Sequence, residues 1–145
     1  MPTITFAFQR APRSFWDRVI SWWTRSPYFH VAVVLPDGCL YESLPGLGVH
    51  KVWNQTLPIS DWDLVALIVS DEALVKGRDF LESELGCRYD WFGLLWAQIL
   101  GLPWADSQKW FCSELTAAFM NAMAMPMRHR PAWYSPHRFF DAVPR

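Results

Sequence analysis

The chain has almost no net charge and no basic tract. Its 13 Lys and Arg against 14 Asp and Glu leave a formal charge of -1, so no global field exists to gather phosphate backbones, and nucleic acid is not an expected partner. The one basic knot, "MRHR" at 127–130, reads as a solvated loop. Paired cysteines are missing too. Cys39, Cys87 and Cys112 are an odd number without a CxxC spacing; this excludes a disulfide framework, fits no zinc module, and suggests reduced thiols. The N-terminal stretch "MPTITFAFQRAPRS" lacks the charged start, apolar run and cleavage site of a secretory signal. The expectation is a protein cytoplasmic as synthesised. No apolar run is long enough to span a bilayer: the longest, "WFGLLWAQILGLPW" at 91–104, has about 14 residues where a transmembrane helix needs around 20. Contact with a membrane surface stays open; a transmembrane protein is not expected.

What is present is apolar and aromatic. Hydrophobic residues make up 52% of the 145, with 10 Trp and 10 Phe, so the chain has the means to bury a core and its length fits a single domain over 1–145. Most of these rings are expected in the core. Trp22, Trp23, Trp91, Trp96 and Trp104 could instead line an apolar patch suited to an acyl chain or lipid surface.

"TITFAF" (3–8) alternates like a strand, and "SFWDRVISWWTR" (14–25) has helical spacing. "YFHVAVVLPDGCLYES" is two apolar runs around a Pro-Asp-Gly turn, a hairpin signal. "GVHKVW" (48–53) and "DLVALIVS" (63–70) read as further strands, the second expected to be buried on both faces because its apolar run is continuous. Ser70 or Asp71 caps a helix that stops at Gly86, a second helix is expected over 90–100, and a third over 110–124, broken by Pro126. The class is α+β, an antiparallel sheet packed against helices.

Cys112 falls in the first turn of that last helix. A helix N-terminus offers the positive end of the macrodipole and unpaired N–H groups, both favouring thiolate. Acyl transfer also needs a base, a group to orient it, and oxyanion donors. If the hairpin turns at 36–38, Leu35 faces Cys39, Ala32 faces Glu42, and His30 becomes Glu42's diagonal neighbour on one face. A slip of one residue would separate them. His30 then serves as base and Glu42 as its orienting group, with His50 as a substitute for Glu42. Taken singly, a buried cysteine is usually a small hydrophobe and a histidine at a strand end a surface residue. Cys39 and Cys87 read as inert, and Glu114 as a structural residue near a helix start. The Cys112 N–H is the natural oxyanion donor; Tyr28, two residues before His30 and so sharing its face on an extended strand, is a second candidate.

The ordered set, a histidine opening one strand in "SPYFHVAVVLPDGCLYES", the segment "GCRYDWFG", then "WFCSELTAAF" and a trailing "SP" at 135–136, resembles the circularly permuted NlpC-like branch of papain-fold cysteine hydrolases. That branch includes bacterial permuted cysteine amidases and, more distantly, lecithin retinol acyltransferase-like enzymes. The resemblance implies a permuted papain-like fold, with the nucleophile helix following the sheet that carries the histidine. It implies Cys112 as nucleophile, His30 as base and Glu42 as third polar residue, and no cofactor. Trp110 stands near where relatives commonly carry Tyr, which makes it a candidate substrate contact beside Tyr28. The implied substrates are amides, first those of peptidoglycan-type peptides, in a phage-encoded or exported setting. The alternatives are a lipid or thioester acyl hydrolase or acyltransferase, and a non-catalytic binding domain retaining the fold.

Overall fold

The computed structural model describes residues 1–10, 27–90 and 110–144, together with positions 15, 18, 19 and 22. Five strands, β1 (Thr3–Gln9), β2 (His30–Val34), β3 (Cys39–Leu44), β4 (Gly48–Trp53) and β5 (Trp62–Ile68), form one sheet in the order β4-β3-β2-β1-β5. Every pairing is antiparallel. Among the described residues three α-helices follow the sheet, α1 (Asp71–Ser83), α2 (Cys112–Ala122) and α3 (Pro136–Ala142), with a 3-10 turn at Pro131–Trp133 before α3. The chain is therefore α+β.

The β2–β3 hairpin is set by its turn chemistry. Leu35 N–H donates to the Cys39 carbonyl and Gly38 N–H to the Leu35 carbonyl, while Gly38 takes φ +82°, which a residue with a Cβ resists. Asp37 fixes the tip twice: Oδ1 accepts from Cys39 N–H, and Oδ2 lies 2.7 Å from Arg78 Nη1 on α1. The resulting register, Val33 opposite Tyr41 and Val34 opposite Leu40, is the one the turn predicts.

Alternation along β1 and β2 places Ile4, Phe6, Phe8, Val31 and Val33 in one core with Leu115, Phe119 and Phe139 from the helices. Phe6 meets Phe139 edge to face, with ring centroids 5.1 Å apart. Helix α1 begins at Ser70, whose side chain accepts from Ala73 N–H. It packs on α2 at Gly77, where a Cβ would stand 2.5 Å from the Phe119 ring.

Strand β5 departs from expectation. Its apolar run suggests burial on both faces, but only Val65 and Leu67 pack on the core, and Leu64 and Ile68 are exposed. The reason is position: β5 is an edge strand, paired with β1 alone. Of the expected helix over 14–25, Phe15, Arg18, Val19 and Trp22 are helical and Trp22 is exposed. Trp23, Trp91, Trp96, Trp104 and the body of the helix expected over 90–100 lie outside the described residues. No helix among the described residues is long and apolar enough to cross a membrane.

Gly48 opens β4 at φ +70°, and a Cβ built there would sit 2.1 Å from the Cys87 carbonyl oxygen, a backbone atom that cannot step aside. Val49 N–H donates to that same carbonyl. Gly48→Ala is expected to destabilise the protein by about 3 kcal/mol, through the left-handed backbone and the clash together. An unchanged urea midpoint for this variant would contradict that close approach.

Candidate active site

Helix α2 starts abruptly because Phe111, its N-cap, is extended and contributes no side-chain hydrogen bond. Trp110 holds the approach to the helix: its carbonyl accepts from Ser43 Oγ at 2.6 Å on β3, and its N–H donates to the Arg88 carbonyl. Cys112 is then the first helical residue and is buried. Its N–H belongs to the turn whose amides lack intrahelical acceptors.

His30, first residue of β2, and Glu42 on β3 are both buried, and His30 Nε2 lies 2.6 Å from Glu42 Oε2. This is the diagonal pair that the hairpin register predicts. Burial by itself would lower the His30 pKa. Hydrogen bonding to the Cys112 sulfur and to Glu42, together with their negative charges, outweighs that and pushes it up to about 10. Burial likewise acts to raise the Glu42 pKa, and its contacts with His30 and His50 reverse this, leaving it below the ordinary carboxylate value. Cys112, His30 and Glu42 are thus brought together at the start of α2.

His50 is directly opposite Glu42 across the β3–β4 ladder, with Nε2 3.2 Å from Glu42 Oε1 and Nδ1 3.3 Å from the Gly48 carbonyl. The sequence suggests His50 as a substitute for Glu42; the structure makes it a second partner of Glu42, one histidine on each carboxylate oxygen. The Pro45-Gly46 turn after β3 is the signal that could have given this pairing.

Two other candidates are placed elsewhere. Tyr28 precedes β2 and does not share the row of His30, which runs through Gln9 to Trp62. Its ring packs on Phe8 and Phe140, and its hydroxyl donates to Asp63, in the adjacent row. An oxyanion role would have to break that hydrogen bond. The Trp110 indole turns to α1 and beyond, donating to Glu84 Oε2 at 2.7 Å and meeting Phe80 edge to face. Its contacts are those of an anchor for the segment leading into α2.

The other two thiols lie apart from this constellation. Burial pushes both Cys39 and Cys87 up from the ordinary thiol value, and the Glu84 carboxylate beside Cys87 adds to the effect. Among the described residues no group of three or more His, Cys, Asp and Glu side chains is arranged to hold a metal ion. The site is a Cys–His–Glu constellation with a second histidine behind the carboxylate. No protein-family model matches the chain, and no curated protein matches it.

Proposed function

We propose that the protein is a cysteine hydrolase of the permuted NlpC-like papain type, cleaving amide bonds through an acyl-enzyme. The observation that carries this reading is the buried His30–Glu42 contact of 2.6 Å beside a cysteine at the first position of a helix. Glu42 takes Nε2 of His30, which leaves Nδ1 for the sulfur. In the resting enzyme the Cys112 proton resides on His30, giving a thiolate and an imidazolium stabilised by Glu42.

The thiolate attacks the carbonyl carbon, forming the carbon–sulfur bond as the carbonyl electrons move onto oxygen. The Cys112 N–H faces that oxyanion. Collapse breaks the carbon–nitrogen bond, and the imidazolium delivers its proton to the departing amine. Neutral His30 then takes a proton from water, the hydroxide adds to the thioester, and the thiolate leaves with the acid product. Glu42 keeps the ring oriented throughout, and His50, on its other oxygen, holds the carboxylate in place.

Amides of peptidoglycan-type peptides are the first substrates to try. A protein made in the cytosol meets cell wall only after lysis or export, so a phage-encoded or exported setting suits this reading. The test is the iodoacetamide labelling rate at each cysteine against pH, read by peptide mass spectrometry. Cys112 is expected to label fast well below pH 8 and to lose that advantage in His30→Ala. Labelling no faster than at Cys39 or Cys87 would sink the ion pair and favour a binding domain that retains the fold.

A further inference from the structure

Beyond the end of α2 the surface carries a groove of about 650 Å³ that includes none of Cys112, His30 and Glu42. That volume lies within the range of small-molecule sites. Its apolar walls come from Met120 at the end of α2, Met125 and Met127 in the following loop, and Trp133 in the 3-10 turn. Its polar rim has the cations Arg128 and Arg138 with the His129 imidazole beside them, against one acid among the described residues, Asp141. Asp141 is itself 3.5 Å from His137, one turn earlier on α3.

The groove is held in shape without an occupant. Met127 N–H donates to Asn121 Oδ1 at 2.9 Å, and His129 N–H to the Tyr134 hydroxyl at 3.1 Å. The His129 ring stacks on Trp133 with centroids 4.0 Å apart. Arg138 lies over the same indole at 4.5 Å and donates to the Trp133 carbonyl at 3.2 Å. Two of the three basic groups are thereby fixed before any ligand arrives, which lowers the ordering cost of binding.

We propose that this groove binds a single-chain anionic amphiphile, a fatty carboxylate with its chain along the methionines and its head among Arg128, His129 and Arg138. Three methionines give an unbranched, adaptable wall that matches an unbranched chain. The basic rim supplies charge-assisted donors for one anionic head. An extended peptide would need main-chain partners, and the described residues that build the groove come from helices and turns and offer no strand edge. A flat aromatic ligand would compete for an indole against which His129 and Arg138 already lie. The inference does not depend on the hydrolase reading, because the two sites share no residue.

The test is displacement of dansylaminoundecanoic acid from the intact protein by decanoate, decanol and acetate. Decanoate is expected to displace the probe, decanol at least about tenfold more weakly for want of the charged head, and acetate not at all. Arg128→Gln should weaken decanoate about tenfold, and Met127→Glu should abolish binding. Asp141→Asn should tighten it by about fivefold by removing the one opposing charge, a gain that poor folding cannot imitate. Equal affinity for decanol and decanoate, or no response to Arg128→Gln and Asp141→Asn, would overturn the proposal. So would binding to anionic phosphatidylglycerol vesicles without binding to monomeric decanoate, which would make the groove a membrane contact.

Discussion

p-Nitrophenyl acetate is expected to acylate Cys112 and no other cysteine, releasing one equivalent of nitrophenolate in a burst and adding one acetyl group to the peptide that carries "FCSEL". Cys112→Ser should lower the burst rate by about 10³-fold or more, because a hydroxyl is a far weaker nucleophile than sulfur in the same place. His30→Ala should lower it by roughly 10²- to 10⁴-fold, the usual contribution of a positioned base. The two losses should not add in the double variant, since the proposed mechanism uses Cys112 and His30 as one unit and either deletion disables it. Cys39→Ser and Cys87→Ser serve as controls: both thiols are pushed up by burial and should leave the burst unchanged. An acetyl group found on Cys39 or Cys87 instead, or a burst that survives His30→Ala, would remove the basis for the mechanism.

The site was legible in the sequence to the extent that short-range rules control it. The Pro36-Asp37-Gly38 turn fixes the hairpin, the hairpin fixes the register, and the register brings His30 to Glu42. Ser70 marks the start of α1 by a local hydrogen bond, and Cys112 opens α2 as the helix pattern implies. What the sequence concealed depends on contacts far along the chain. Tyr28 is two residues from His30, yet its ring follows Phe8 and Phe140 because the chain is not yet in β2 at that point. The Trp110 indole is drawn to Glu84, 26 residues away. The apolar run of β5 looks buried on both faces, and only the strand order reveals that it has one neighbour. The place of His50 behind Glu42 is different in kind, because the Pro45-Gly46 turn that pairs β3 with β4 is a local signal that the reading of His50 as a substitute passed over.

Glu42→Gln should cost about 3 kcal/mol or more near pH 6, because it removes one partner of a buried pair and leaves His30 with a neutral acceptor. The loss should depend on pH in a direction fixed by the two shifts. His30 has its pKa raised from 6.5 to about 10 in the folded protein, so its contribution is complete below about pH 6.5 and is lost as pH rises through 10. Glu42 has its pKa lowered from 4.5, so its contribution is present above about pH 4.5 and is lost as pH falls through the folded value. The pair therefore stabilises the wild type most between about pH 4.5 and 6.5. In Glu42→Gln the acidic dependence from this carboxylate disappears. His30 also loses one of the two groups that raise it, so the decline between pH 6.5 and 10 becomes shallower and the two proteins converge towards pH 10. Urea titrations at pH 6, 8 and 10 measure this, and a constant difference across that range would mean that Glu42 acts through packing alone. The same change should move the alkaline limb of the Cys112 acylation profile to lower pH, since His30 without the Glu42 carboxylate gives up its proton more easily. A stability effect without that shift would separate a structural carboxylate from one that holds His30 in its charged form for the proposed reaction.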